Sequence, residues 1–361
     1  MPANPDMLRL ARQLRGFQQT EAVKLLGCNQ SQLSRMENGV LDLRDDFLNK
    51  AARVYKVPAS FFFQNEPVYG APVSVHPMWR RKADVSAREM DCTIAELNVR
   101  VMHLRRFLEG VGVANTNDLP RLDIEDYSDA EVVAGLVRAH WRVPSGPLQN
   151  LTALVEKAGV IVVHSPLGGA SISGVRFSVP ALPTLIVLNS DQPADRMRFT
   201  LAHELGHLIM HKFPSPSMEQ EANTFAAALL MPTNDIRQYF LGKKIDLSTL
   251  AAFKPEWKVS MGGLLMAASR VGSIDEGRSK YLWKLMSMKG YRLREPPELD
   301  FPREEPTVLK SIFDMHTTAL GYSREDLARI LHCNMTDLDD LYGAAQQHGQ
   351  EAAKPRLTIL K

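Results

Sequence analysis

The sequence has few cysteines, few aromatic residues, almost no net charge and no long hydrophobic run. Three cysteines among 361 residues, with no C-x-x-C pair, exclude a disulfide-stapled scaffold and a cysteine-based zinc site. No apolar run reaches the roughly eighteen residues of a transmembrane helix, and the N-terminus lacks the apolar core of a signal peptide. We therefore expect a cytoplasmic protein that does not enter a membrane.

The formal net charge is only +2, so the chain as a whole has no strong electrostatic attraction to nucleic acid. Any DNA contact must then come from a local motif. The apolar content of 45% and the charged content of 23% are those of an ordinary globular protein. A chain of this length predicts two or three domains.

The strongest chemical signal is the pentapeptide His203-Glu204-Leu205-Gly206-His207. Residues four apart share one face of a helix, so both imidazoles can bind one ion, and Glu204 can face the open side of that ion. This is the H-E-x-x-H arrangement of zinc hydrolases. We predict Asp195 as the N-cap of the helix, and we expect Gly206 to mark close packing with a neighbour.

A catalytic zinc needs a third protein ligand. A second amphipathic helix ends at Met231-Pro232, because proline disfavours helix in the residue before it. If the two helices are antiparallel, a carboxylate near the start of the second returns beside the histidines. We predict Glu221, with Glu219 as the alternative, since residues two apart cannot share a helix face. His211 either supports the site or is exposed.

The segment TLAHELGHLIMH, followed by EQEANTFAAALLMP, resembles the ImmA/IrrE family of bacterial metallopeptidases. The resemblance implies that one Zn²⁺ ion per chain is bound by His203, His207 and Glu221. It also implies that Glu204 is the catalytic general base. The upstream segment ISGVRFSVPALPTLIVLN is similar to the β-hairpin and edge strand that precede the active-site helix in that family.

Residues 6–63 predict four short helices. The third spans Gln30 to Glu37, with Asn29 and Gln32 placed as a capping box at its start. Asn38-Gly39 ends it, because both residues tolerate left-handed backbone. Short helices joined by a glycine-containing turn are typical of a helix-turn-helix.

The segment LRLARQLRGFQQTEAVKLLGCNQSQLSRMENG resembles the Xre/Cro repressor class, in which the third helix enters the major groove of DNA. Glutamine suits adenine edges, and arginine suits guanine or phosphate. The alternative is a helical protein-binding module without groove contacts. The residues that this resemblance places toward DNA are Gln19, Gln30, Ser31, Gln32, Ser34 and Arg35.

The predicted fold is an α+β multidomain chain. An all-α helix-turn-helix domain at 1–66 is followed by a linker and helix at 67–119, a zincin-like α+β peptidase domain at 120–240, and a helical C-terminal extension at 241–361. The basic run Trp79-Arg80-Arg81-Lys82 in the linker is either a solvated surface or a DNA contact. The C-terminal extension has a second helix-turn-helix spacing, and its aspartates favour protein interaction or dimerisation over DNA.

These patterns predict a DNA-bound zinc endopeptidase that cleaves a repressor or antitoxin and thereby controls stress, phage-related or toxin genes. The alternative is an Xre-class transcriptional regulator or antitoxin whose peptidase fold senses a ligand or partner without cutting. The expected partners are a double-stranded DNA operator and a protein substrate. A homodimer is a further partner that the sequence leaves open.

Overall fold

The structure is a computed structural model that describes residues 2–70, 86–113, 118–127, 129–167, 172–343 and 357–359. The basic run at 79–82 lies outside these residues. The chain divides into two compact units. The first consists of Met1–Ala114, Phe177–Leu185 and Thr307–Lys361, and the second of Asn115–Arg176 and Ile186–Pro306. The segment predicted as a C-terminal extension, 241–361, is therefore shared: its residues up to Pro306 belong to the second unit and those from Thr307 belong to the first.

The first unit begins with four helices, α1 (Pro5–Leu14), α2 (Gln19–Leu26), α3 (Gln30–Glu37) and α4 (Asp45–Tyr55), followed by a 3₁₀ turn at Ala59–Phe63. The predicted capping box at the start of α3 is confirmed. Asn29 N–H donates to Gln32 Oε1 at 3.0 Å, and Gln32 N–H donates to Asn29 Oδ1 at 2.8 Å. Gly39 takes the left-handed backbone that ends α3.

The long helix α5 (Ala87–Glu109) packs on these four helices and contributes Ala95, Val99 and Met102 to their core. It begins at Ala87, because Ser86 and Glu89 form a capping box at its N-terminus. A short strand β1 (Val111–Val113) follows and pairs antiparallel with the C-terminal strand Leu357–Ile359.

Three C-terminal helices complete the first unit: α14 (Val308–Thr318), α15 (Arg324–Ile330) and α16 (Met335–Tyr342). Asp337 of α16 pairs with Arg15 at 2.7 Å, and Asn334 donates to the carbonyl of Lys56 at 2.7 Å. His103 Nδ1 of α5 lies 2.9 Å from the Tyr342 hydroxyl. The second helix-turn-helix spacing is therefore used for packing within this unit.

The second unit contains a three-stranded sheet with the order β2 (Ile161–Ser165), β4 (Leu185–Asn189), β3 (Gly174–Phe177). β3 therefore lies at an edge. The helices of this unit are α6 (Ala130–His140), α7 (Leu151–Lys157), α8 (Ala194–Met210), α9 (Met218–Leu230), α10 (Thr233–Phe240), α11 (Leu247–Trp257), α12 (Met261–Arg270) and α13 (Glu276–Met288). None of the helices in the described ranges combines the length and the apolar content that a membrane crossing requires.

Helix α8, which carries the H-E-x-x-H residues, is buried on nearly all sides. The prediction of Asp195 as its N-cap is wrong. Pro193 occupies the cap position, and Asp195 lies in the first turn, where it accepts a hydrogen bond from Lys254 at 2.6 Å. The buried lysine requires that carboxylate as a counter-ion, and Glu295 supplies a second one at 2.7 Å.

The close approach of α8 and α9 depends on Gly206. A Cβ added there would lie 2.9 Å from a ring carbon of Phe225, which is fully buried. The expected close packing at Gly206 is therefore confirmed. It fixes the separation of the two helices that carry the candidate metal ligands.

We expect Gly206→Ala to lower the free energy of unfolding by up to about 2 kcal/mol. Overpacking against Phe225 costs about 1–3 kcal/mol and outweighs the roughly 1 kcal/mol gain in helix propensity. Gly135→Ala is the matched control, since Gly135 lies within α6 and no atom stands within 4 Å of its added Cβ. That change should stabilise the protein in denaturant titrations, and equal stabilisation by both changes would contradict the packing argument.

Candidate metal centre and nucleic-acid interface

The histidines of α8 point their Nε2 atoms at each other across one turn of the helix. His203 Nε2 and His207 Nε2 are 3.0 Å apart, and both side chains are buried. The Glu219 carboxylate lies 3.6 Å from His203 Nε2 and 3.4 Å from His207 Nε2. These three residues form a group whose donor atoms lie within 4.8 Å of one another.

Glu221, the predicted third ligand, does not join this group, whereas Glu219, the alternative from the sequence, does. Residues two apart on a helix point to different sides, so only one of the two carboxylates can face α8 at this height. Glu219 and Asn223 are four apart and share the face toward His203. Glu221 points away from that face and lies 3.0 Å from His211 Nε2.

The donor set fits a divalent ion. Ligands of a tetrahedral zinc at about 2.0–2.1 Å are roughly 3.4 Å apart, close to the three separations seen here. Within the described part of the chain, the buried Glu219 Oε1 and Glu204 Oε2 atoms have no hydrogen-bond partner. Buried carboxylate oxygens without partners are costly, and a cation between them and the imidazoles removes that cost.

The outer nitrogens of the two histidines are held by hydrogen bonds. His203 Nδ1 donates to Asn223 Oδ1 at 3.0 Å. Glu221 accepts from His211 Nε2, which leaves His211 Nδ1 to accept from His207 Nδ1 at 2.9 Å. Both Nε2 atoms then keep a free lone pair, as metal binding requires.

Glu204 follows His203 and is 4% exposed. Burial raises the pKa of its carboxyl to about 7, although the nearby positive charges of His203 and Arg176 act in the opposite direction. A bound cation would favour the carboxylate further. This environment suits a group that takes up and releases a proton near neutral pH.

The sequence interpretation missed Arg176. It lies on β3 two residues after Gly174, so both face the same side of the sheet. A Cβ added to Gly174 would come within 2.6 Å of Thr200 Cγ2, one helical turn before Glu204. Arg176, the next residue on that side of β3, therefore lies near Glu204. Its positive charge lowers the pKa of the Glu204 carboxyl. Strand alternation read together with the α8 contact could have identified it.

In the first unit, the candidate DNA-contacting residues lie on α2 and α3. Gln30, Ser31, Gln32 and Arg35 are exposed. Ser34 and Gln19 are half-buried. Gln19 therefore lies at the start of α2 and the other five residues lie on α3, and four of the six side chains are open to solvent.

A buried ion pair between Arg12 and Glu37 lies beneath the candidate DNA-contacting residues of α2 and α3. Arg12 donates to both carboxylate oxygens of Glu37, at 2.6 and 3.0 Å, and also to the carbonyl of Phe17 at 2.7 Å. Gln19 Nε2 donates to Glu37 Oε2 at 2.9 Å. Glu37 at the end of α3 therefore links α1, α2 and α3.

Two models of known protein families match this chain, one in its N-terminal part and one in its central part. The model of a helix-turn-helix domain matches residues 6–60, and the model described as an IrrE N-terminal-like domain matches residues 155–269. The second match includes the H-E-x-x-H residues and Glu219. No curated protein matches the chain. The chain therefore carries an N-terminal helix-turn-helix domain followed by an IrrE N-terminal-like domain of the ImmA/IrrE metallopeptidase type.

Proposed function

We propose that the protein is a DNA-binding, zinc-dependent endopeptidase that regulates transcription by cleaving another protein. The combination of the two domains fits a DNA-binding regulator with a protease role. The observation that carries the proposal is the convergence of His203, His207 and Glu219 beside the buried carboxylate of Glu204. The two nitrogens and one oxygen favour zinc over harder cations.

When bound, the ion supplies Lewis acid chemistry, which makes water more acidic and polarises a carbonyl. The chain's own part is proton transfer. Glu204 Oε2, buried and without a hydrogen-bond partner in the described residues, takes the proton of the attacking water. The same oxygen then gives the proton to the leaving nitrogen of the peptide.

Arg176 supports the same chemistry. Its charge reaches Glu204 from the edge strand β3, on the side of the sheet that faces α8. We assign to it the stabilisation of negative charge on the substrate carbonyl oxygen, for which a fixed cation is suited. Both ring nitrogens of His211 form hydrogen bonds, one with His207 and the other with Glu221. His211 therefore orients the imidazole of His207 and is not assigned a contact with the substrate.

The edge position of β3 favours an extended segment of another protein as substrate. Unpaired main-chain groups on an edge strand can add a further strand by hydrogen bonds. We propose a repressor or antitoxin as the substrate, bound near the operator that the helix-turn-helix domain reads. Co-localisation on DNA would raise the effective concentration of the two proteins. Stress, phage-related or toxin genes would then be derepressed.

A second function is a regulator that senses without cutting. It is favoured by the packing of α16 against the helix-turn-helix domain, because Asp337 and its cap residue Asn334 contact Arg15 and Lys56 directly. A signal received by the C-terminal helices could change DNA binding with no hydrolysis.

Glu204→Gln separates the two functions. The side chain is not a proposed ligand, so the purified variant should keep its metal while hydrolysis falls by about 10²- to 10⁴-fold. New protein N-termini would be compared by mass spectrometry in cells that carry the wild type or the variant, together with transcript levels. Retained metal with unchanged regulatory output would reject cleavage as the function and leave the sensor.

A further inference from the structure

A cavity of about 290 Å³ opens where the long helix α5 meets the turn between α1 and α2. At roughly 30 Å³ per water it has room for several waters or a phosphate group. It reaches the start of α2 and the first residue of α3, which are the proposed DNA-contacting positions. Its lining includes Gln18, Gln19, Thr20, Gln30, Ala87 and Arg88, together with Arg12 and one acidic residue, Asp91.

Arg88 forms one wall of this cavity from outside the helix-turn-helix domain. Its Nε lies 3.3 Å from where a Cβ of Gly16 would be, and Gly16 has a positive φ of 65°. A larger residue at position 16 would be strained and would also displace the guanidinium. The glycine turn between α1 and α2 thus allows the arginine to lie beside the start of α2.

Arg88 forms a weak, solvent-exposed ion pair with Glu21. Arg88 Nη1 is 3.4 Å from Glu21 Oε1, and the two side chains are 50% and 44% exposed. The other oxygen of Glu21 accepts from the backbone N–H of Gln18 at 2.9 Å, so this carboxylate is shared with the cap of α2. Exposed pairs of this kind contribute little stability, and an anion can replace the carboxylate at small cost.

We propose that Arg88 is a phosphate contact for duplex DNA and that the DNA-binding surface extends from the helix-turn-helix domain onto α5. The inference rests on the proposed DNA binding by α2 and α3. A backbone phosphate beside Gln19 would lie at the mouth of the cavity, where the guanidinium provides planar, bidentate donors. The contact is to phosphate, so it adds affinity without base specificity.

This contact would also connect DNA to the rest of the unit. α5 continues from Arg88 to Arg100 and His103, which contact Leu341 and Tyr342 of the C-terminal helix. A single helix therefore runs from the proposed phosphate contact to the C-terminal helices.

The test uses the full-length protein and a fluorescent duplex of random sequence, with affinity measured over a series of salt concentrations. Losing one phosphate contact reduces the slope of log K against log salt by about 0.9. Arg88→Gln should show this change and bind roughly eightfold more weakly at about 0.1 M salt. Arg88→Lys should keep the slope, because it keeps the charge.

Matched controls separate this inference from the proposed function. Arg53→Ala removes an exposed arginine in the last turn of α4 that does not line the cavity, and it should leave the slope unchanged. Arg35→Ala should weaken binding whatever Arg88 does. A wild type that fails to bind any duplex would reject the proposed DNA binding. A wild type that binds, with Arg35→Ala weakened and Arg88→Gln identical to wild type in slope, would reject the role of Arg88 alone.

Discussion

Glu219→Ala is expected to strip the divalent ion from the purified protein, whereas Glu221→Ala should keep most of it at saturating metal. Glu219 lies 3.6 and 3.4 Å from the two Nε2 atoms, so its loss removes one of three donors. Glu221 acts only through His211 and His207 Nδ1. Loss of such an outer partner weakens metal affinity by about 10- to 100-fold, and loss of the donor itself should exceed that range.

The measurement is metal content after gel filtration, followed by zinc titration against a chelator of known affinity. Asn223→Ala provides a further comparison, since Asn223 orients His203 in the way that Glu221 orients His207. We expect its effect to resemble that of Glu221→Ala. If Glu221→Ala empties the site and Glu219→Ala does not, the assignment from the sequence was right and the one from the geometry must be abandoned.

Glu37→Ala should have the largest effect on the first unit. The Arg12 and Glu37 side chains are 8% and 2% exposed, and removing the carboxylate leaves a buried guanidinium with only the Phe17 carbonyl. Breaking a buried pair in this way costs about 3–5 kcal/mol. Amide hydrogen exchange in α1, α2 and α3 should accelerate by on the order of 10²- to 10³-fold, with DNA binding lost in parallel.

The double replacement Arg12→Met with Glu37→Leu is the informative companion. It removes both charges and keeps similar volume, which is often neutral for stability. Slow exchange should then return. DNA affinity should stay reduced, because Gln19 loses the carboxylate that orients its amide. Full recovery of DNA affinity would show that the position of Gln19 does not depend on Glu37.

Local sequence signals predicted the elements well, since these depend on contacts between near neighbours. The capping box of Asn29 and Gln32 and the end of α9 at Met231-Pro232 both follow from residues within four positions of each other. The H-E-x-x-H pair falls in the same class, because helix geometry alone places both histidines on one face.

Features that depend on how two elements meet were not predictable in the same way. The choice between Glu219 and Glu221 depends on the rotation of α9 about its axis, which its packing at Gly206 and Phe225 sets. Asp195 was mistaken for a cap because its partner, Lys254, lies 59 residues away. Arg176 comes from a strand whose register against α8 no local pattern reveals.

The pairing of α1 with α16 determines the order in which the first unit can be completed during translation. The Arg15–Asp337 pair joins positions 322 residues apart, and the strand at Leu357–Ile359, which pairs with β1, is synthesised later still. The second unit, which ends at Pro306, is fully synthesised before α16 emerges. The nascent helix-turn-helix helices therefore wait for α16 while the whole of the second unit is synthesised.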